Sequence, residues 1–227
     1  MKILFVNPPD ENKVGEYTDS TEEDYIGSDD FGQFPPLGLL YVLASLEENT
    51  ENHEIAFKDC IAEHVSHEDL KGILEKFQPD LLALTSFTVS LVDVVIVAKN
   101  CREIVPTSHI CMGGHHPIAF PFEAAQLPEF DSIVVGEGEI SFTELVKSLE
   151  NGQDYTNIPG VYTCESIQKF AGTTMKRDKR FLQKVRVPPA YVDDIENLPI
   201  PNRKHISHIT YKSAIGVSNN LATMISS

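Results

Sequence analysis

Short apolar runs alternate along this chain with longer segments whose apolar residues recur at helical spacing. Ile3 to Val6, His53 to Lys58, Leu81 to Leu84, Ile110 to Met112 and Ser132 to Val135 read as strands. Four of these runs are continuously apolar rather than alternating, as in strands covered on both faces. Between the first two, Pro36-Leu37-Gly38 opens a helix with Leu39, Val42, Leu43 and Leu46 on one face. Leu70, Ile73, Leu74 and Phe77 then follow at i, i+3, i+4 and i+7, with Ser66 placed to cap them. Gln78-Pro79-Asp80 ends that helix. Val89 to Val105 predicts another despite its β-branched content, and a short helix is expected near Phe122 to Leu127. A final helix carries Phe142, Leu145, Val146 and Leu149 on its buried face, with Ser141-x-x-Glu144 as its capping box.

This alternation predicts an α/β domain over residues 1–150, a five-stranded parallel, doubly wound sheet of the flavodoxin-like or Rossmann-like kind. Right-handed crossovers restrict the topology, and five strands fit the order 2-1-3-4-5. The character changes after about residue 151. Asn157-Ile158-Pro159-Gly160-Val161-Tyr162 predicts the start of a hairpin, and Lys169 to Arg186 is locally basic. Pro188-Pro189 and Leu198-Pro199-Ile200-Pro201 predict an extended linker, because each proline removes a backbone donor and pushes its predecessor toward extended geometry. The chain stops in the β-prone run Thr223-Met224-Ile225-Ser226-Ser227, with no closing helix or turn, as a chain cut short would.

The strand ends carry the chemistry. They run into Asn7-Pro8-Pro9, Thr85-Ser86-Phe87-Thr88, Gly113-Gly114-His115-His116 and Gly136-Glu137-Gly138-Glu139. Open parallel sheets bind ligands beyond the carboxyl ends of their strands. Small or backbone-exposing residues at these ends predict one large ligand across the top of the sheet. Each cluster alone has a plainer reading. The glycine pair is also a tight strand-to-helix turn, Gly136 to Glu139 also an acidic helix start, and Asn7-Pro8-Pro9 also a rigid exit from a strand. His115 and His116 are not expected to share a metal, since adjacent side chains point apart. His116 is a candidate polar contact, and His64 reads as solvated.

Charge narrows the classes. A net charge of −16 over 227 residues argues against nucleic-acid binding, which needs a basic face. Much of the excess falls in residues 10–30, where Asp10, Glu11, Glu16, Asp19, Glu22, Glu23, Asp24, Asp29 and Asp30 oppose Lys13. Such an insertion is either a functional lid or a mobile loop, and it lacks the calcium-loop pattern. Cys60, Cys101, Cys111 and Cys164 stand far apart, as buried free thiols in a reducing compartment would. No apolar run approaches a membrane span, and the first residues enter a strand without a cleavage site, so a cytoplasmic location is expected. Phosphate-loop, serine-hydrolase and dinucleotide fingerprints are missing from the sequence.

Taken in order, Asn7-Pro8-Pro9, Pro35-Pro36-Leu37-Gly38-Leu39, Gly113-Gly114-x-His116 and Gly136-Glu137-Gly138-Glu139 resemble the N-terminal region of cobalamin-binding radical S-adenosylmethionine (SAM) proteins. That group includes corrinoid-dependent methyltransferases and the anaerobic magnesium-protoporphyrin monomethyl ester cyclase. The resemblance covers residues 1–150 and continues through Ile158-Pro159-Gly160 and Leu198-Pro199-Ile200-Pro201, which look like the family's linker. It implies a corrin held over the carboxyl edge of the sheet by Asn7, Pro8, Asp59, Ile61, Ser86, Thr88, Gly113, Gly114, His116, Gly136, Glu137 and Gly138. Ser86 and Thr88 stand where family hydroxyls bond the buried dimethylbenzimidazole tail. Gly113-Gly114 matches the double glycine that admits the tail, since a Cβ there collides with it.

The departures from the cobalamin pattern D-x-H-x-x-G are informative. Asp59 matches, but Ile61 replaces the histidine and His64 replaces the glycine. The resemblance therefore implies base-off cobalamin without an imidazole ligand from this chain. It also implies that the cysteine motif holding a [4Fe–4S] cluster and SAM follows a strand like Ala222 to Ser227, in a radical SAM domain beyond it. On that reading the chain is not active alone and contributes no catalytic or metal-ligating residue. Two other classes stay open at this point: a flavodoxin-like sensor or interaction domain without cobalamin, with the acidic loop as a docking surface, and a flavodoxin-like enzyme using another nucleotide.

Overall fold

Successive residues of the central strands sort into two separate cores. Leu4, Val6, Leu82, Leu84, Ile110 and Met112 face one side of the sheet, while Ile3, Phe5, Leu81, Ala83 and Cys111 face the other. Because both faces are covered, no strand position is free to be polar, which accounts for the continuous apolar runs. The computed structural model describes residues 1–12, 33–172, 187–193, 195–201, 203–212 and 223.

The strands are β1 (Lys2–Asn7), β2 (Glu54–Asp59), β3 (Leu81–Thr85), β4 (His109–Gly113), β5 (Ser132–Val134) and β6 (Val161–Tyr162). The helices are α1 (Leu37–Asn49), α2 (His67–Phe77), α3 (Leu91–Ile104), α4 (His115–Ala119), α5 (Pro121–Ala125) and α6 (Gly138–Glu150). The sheet order is β2-β1-β3-β4-β5-β6. The first five strands are parallel, in the predicted order, and β6 runs antiparallel to β5. Helices α2 and α3 cover one face through Leu70, Leu74, Val94, Val97 and Cys101. Helices α1 and α6 cover the other through Leu40, Leu43, Leu46, Phe142, Leu145 and Val146. Each such side chain contributes about 1.5–3 kcal/mol by leaving water.

Ser66 does cap α2. Its Oγ accepts from the Asp69 amide at 3.1 Å, and Asp69 returns the bond to the Ser66 amide, completing a capping box. The box expected at Ser141 and Glu144 is absent. Helix α6 begins earlier, at Gly138 with Glu137 as N-cap, because Gly136 at φ 102 turns the chain directly out of the strand region. Ser141 therefore lies inside the helix and donates to the Pro159 carbonyl at 2.7 Å.

The segment expected to begin a hairpin supplies β6, which pairs antiparallel with β5 and widens the sheet to six strands. The proline-rich linker is extended near Ala190 but not free. Ala190 bridges to Gly136 in parallel, its amide donates to the Val135 carbonyl, and its carbonyl accepts from Glu137. Farther on, Ile206 and Tyr211 are buried on the α1–α6 side of the sheet, and His205 Nε2 lies 2.8 Å from Glu47. Residues 13–32 of the acidic insertion, 173–186 of the basic stretch and 224–227 lie outside the described residues. Among the described residues, no helix is long and apolar enough to cross a membrane.

Candidate functional site

A cavity of about 510 Å³ opens at the carboxyl ends of β3, β4 and β5 and runs down between the sheet and helices α1 and α6. Its floor is apolar: Phe5, Ala83, Cys111, Val134 and Phe142. One wall is the entry to α1, from Pro35 to Leu39 with Val42, and the other is the Gly136–Glu139 start of α6. Phe34, Phe87 and His115 stand at the mouth. The volume lies within the ~300–1,000 Å³ typical of cofactor sites. Three strand-end clusters predicted from sequence thus meet at one cavity: Thr85 and Phe87, the double glycine with His115, and Gly136 to Glu139.

The glycines have different reasons to be glycine. Gly114 has φ 94, and a Cβ there would lie 2.7 Å from both the nitrogen and the oxygen of Ser86. The ends of β3 and β4 approach so closely because Ser86 donates to the Gly113 carbonyl and His116 donates to the Ser86 carbonyl, both at 2.9 Å. Gly136 is likewise fixed by backbone, since a Cβ would run into Ala190. Gly138 sits close to Val42, with 3.0 Å between its ideal Cβ and Val42 Cγ2. Gly113 is unlike these. A Cβ there meets nothing within 4 Å, its φ is ordinary, and it lines the cavity. Gly38, in the first turn of α1, shares that property. The fold does not require glycine at either position; what glycine provides there is space.

Other predicted residues surround the cavity without lining it. Ser86 is fully buried and donates its hydroxyl to the Phe87 carbonyl at 3.2 Å. Thr88 is exposed, with Oγ1 3.3 Å from His116 Nδ1. His116 is buried, its Nε2 has no hydrogen-bond partner among the described residues, and burial lowers its pKa. His115 instead lies at the surface, stacked on Phe87 with ring centroids 4.7 Å apart. The two histidines therefore face different surroundings.

Asn7, Pro8, Asp59 and Ile61 gather at the ends of β1 and β2. Asn7 Nδ2 donates to Asp59 Oδ1 at 2.8 Å, and the Tyr211 hydroxyl donates to Oδ2 at 2.9 Å. Burial outweighs these bonds and raises the Asp59 pKa. Ile61 enters a turn that exposes His64 at φ 54.

Sequence reasoning names none of Phe87, His115, Cys111, Phe142 and Glu139 as a site residue, yet all line the cavity. A signal existed on α1. Leu40, Leu43 and Leu46 are its buried core stripe, while Leu39 and Val42, assigned to one face with Leu43 and Leu46 from periodicity, are only partly buried against that core and also line the cavity. Apolar residues beyond the width of one core stripe marked a second apolar surface.

Comparison with known proteins agrees with this geometry. A family model described as the B12 binding domain matches residues 26–146, more than half of the chain. An uncharacterized methyltransferase of Pyrococcus horikoshii is 29% identical over 216 residues, 94% of this chain and 40% of that protein. The anaerobic magnesium-protoporphyrin IX monomethyl ester cyclase of Cereibacter sphaeroides is 34% identical over 153 residues, 66% of this chain and 22% of that protein. The chain thus spans less than half the length of these relatives. In fold it is similar to the radical SAM methyltransferase TsrM of Kitasatospora setae, solved with cobalamin and a [4Fe-4S] cluster, with TM-score 0.54 and 19% identity over 70% of this chain and 28% of that one. It is also similar to the cobalamin-dependent SAM radical enzyme OxsB, with TM-score 0.53 and 17% identity over 71% of this chain and 20% of that one. The chain belongs to the B12-binding domain family, and its relatives include cobalamin-dependent radical SAM enzymes.

Proposed function

We propose that residues 1–150 hold a corrinoid for a larger radical SAM enzyme, and that residues 151–227 lead from this domain toward the part that carries the [4Fe–4S] cluster and SAM. The observation that carries this reading is Gly113. A glycine with ordinary φ and open space beyond its Cα, at the rim of a deep apolar cavity, is explained by an occupant and not by the fold.

The residues present fit a corrinoid. The apolar cavity suits the flat aromatic base of the nucleotide tail, with Gly113 and Gly38 leaving room for it. At the mouth, Phe34 and Phe87 are each about half exposed, an apolar rim suited to the underside of a macrocycle. On this reading backbone groups of Gly136, Glu137 and Gly138 on the cavity wall meet polar substituents, and Thr88 and His116, which do not line the cavity, stand behind its β3–β4 end. Ser86 holds the β3–β4 gap through its backbone. Asn7, Pro8 and Asp59 stiffen the adjoining strand ends. Ile61 offers no metal ligand, which supports a base-off cofactor with no imidazole from this chain.

When bound, the corrinoid supplies a cobalt centre able to accept and pass on a methyl group. This chain's own residues bind it, orient it and keep water from the buried base. Methyl transfer or a related radical reaction belongs on this reading to the whole enzyme. A reducing, cytoplasmic setting suits the buried thiols Cys60, Cys101 and Cys111.

The test is reconstitution with hydroxocobalamin under reducing, light-protected conditions, followed by desalting and an absorption spectrum. A stoichiometric base-off spectrum that is retained by the parent and lost in Gly113→Val supports the reading. Elution of all the cobalamin in the salt volume refutes it.

A further inference from the structure

Strand register sets the floor of the cavity. Phe5 pairs with Ala83, and Ala83 with Cys111, across adjacent parallel strands on the face that packs against α1 and α6. Ala83 and Cys111 are the small members of that row, beside the packed rings of Phe5 and Phe142. Two residues on, Thr85 and Gly113 form the next pair on the same face. Gly113 adds no side chain there, so the floor opens toward the mouth.

This floor offers little to a polar ligand atom. Phe5, Ala83, Val134 and Phe142 are apolar, and Cys111 behaves as a small apolar residue. Among the described lining residues, Thr85, half-buried, supplies the one hydroxyl. The charged and ring groups stand elsewhere. Glu137 is exposed and accepts from the Val192 amide, and the unpaired Oε2 of Glu139 is sealed from solvent. His115 is at the mouth, stacked on Phe87.

Such a surface discriminates by polarity, because a donor or acceptor buried without a partner forfeits its hydration without return. The base of cobalamin, a dimethylbenzimidazole, has hydrocarbon edges and, once off cobalt, a single free ring nitrogen. One hydroxyl is enough for it. An adenine base has a similar two-ring shape but adds two further ring acceptors and an amino group. The floor holds nothing to pair them.

We infer that this domain selects corrinoids by their lower base, admitting benzimidazole-type bases to the cavity and rejecting purines, with Ala83, Cys111 and Gly113 giving the base its room. The inference rests on the corrinoid reading above and adds to it a selectivity.

The experiment titrates the 227-residue chain with cobalamin, with a cobamide whose base is adenine, and with cobinamide, which lacks the nucleotide. Binding is followed by absorbance and equilibrium dialysis. The parent is expected to hold cobalamin about tenfold to a hundredfold more tightly than the adenine cobamide. Gly113→Val, at a position where a Cβ meets no protein atom within 4 Å, and Ala83→Leu fill the cavity from rim and floor. Both are expected to bring cobalamin down to the adenine cobamide, erasing the difference, while cobinamide binds as to the parent. Unchanged cobinamide affinity also reports that a variant is folded; if Ala83→Leu does not show it, Gly113→Val decides alone. The inference is overturned if the parent binds the adenine cobamide as well as cobalamin or better. It is equally overturned if Gly113→Val keeps the difference, or loses cobinamide with the rest. Failure of the parent to bind any of the three overturns the corrinoid reading itself, a distinguishable result.

Discussion

Tyr211 and Asp59, 152 residues apart in sequence, meet in a 2.9 Å hydrogen bond at the carboxyl end of β2. Asn7 at the end of β1 holds the other carboxylate oxygen at 2.8 Å. One buried carboxyl group thus ties two strand ends beside the cavity to the segment that follows the linker prolines. In cobalamin domains with a D-x-H-x-x-G motif, this position precedes a metal-ligating histidine. The resemblance puts Ile61 at that histidine's place, and the aspartate here accepts from Tyr211 in the chain's own later segment.

Removing the Tyr211 hydroxyl leaves Asp59 Oδ2 short of a partner in a buried setting. Tyr211→Phe is expected to cost about 1–3 kcal/mol, read from urea unfolding midpoints. The pH dependence tests the same knot. Because burial raises the Asp59 pKa above its ordinary 3.8, the folded chain holds this proton more tightly than the unfolded chain. The associated stability is present below the ordinary pKa and is lost as pH rises through the raised one. Asp59→Asn has no such proton to lose, so its stability relative to the parent should rise between pH values of about 4 and 7. A flat difference across that window would show that the carboxyl group is not raised.

The two glycines of the pair should separate binding from folding. Gly114→Ala places a Cβ against the Ser86 backbone at a φ of 94 and should destabilise by about 1–3 kcal/mol from strain, with the steric contact in addition. Gly113→Ala meets no protein atom and should fold with parental or slightly higher stability. Thermal unfolding and corrinoid titration of both variants give the comparison. A Gly113→Ala protein that unfolds early while Gly114→Ala is unaffected would contradict the assignment.

Thiol chemistry should follow burial. Burial pushes the Cys111 thiol, on the cavity floor, up to about 12, and raises those of Cys60 and Cys101. Cys164 is exposed. Native protein titrated with an aromatic disulfide at mildly alkaline pH should therefore react at Cys164 alone, and denatured protein at all four cysteines. Fast reaction of Cys111 in the native state would show that the cavity floor is open to reagent.

His109 should contribute to acid sensitivity. It lies 2.8 Å from Ser132 Oγ and edge-on to Tyr155, and burial pushes its pKa down to about 4. The stability gained by keeping it neutral is present above its ordinary 6.5 and is lost as pH falls toward the depressed value. His109→Gln is expected to show a shallower decline in unfolding midpoint across that window than the parent. Identical slopes would place the acid sensitivity elsewhere.

Much of the site could be read from sequence because its signals are local. Gly113, Gly136 and Glu137 follow apolar runs and line the cavity, because parallel topology places all such strand ends on one edge. Glu139 stood in a motif without a role because its charge and helix-start position looked like an ordinary dipole contact. Its place on the cavity wall depends on how α6 docks beside the sheet, which spacing does not encode. Similarly, Leu39 and Val42 carried helical periodicity, and only packing divides one apolar arc between a core and a cavity wall.

The sequence by itself determined the strand order, the two-sided burial of the sheet and the edge at which a ligand binds. These follow from residue period, strand continuity and the fixed hand of the crossovers, all properties of short segments and their succession. The tertiary structure alone decided which glycines serve the backbone and which leave room, where β6 pairs, what Asp59 holds and which residues of α1 and α6 line the cavity. Each is set by ångström-scale distances between segments far apart in the chain. Gly113 and Gly114 are identical neighbours in the sequence, yet one abuts Ser86 and the other opens onto the cavity.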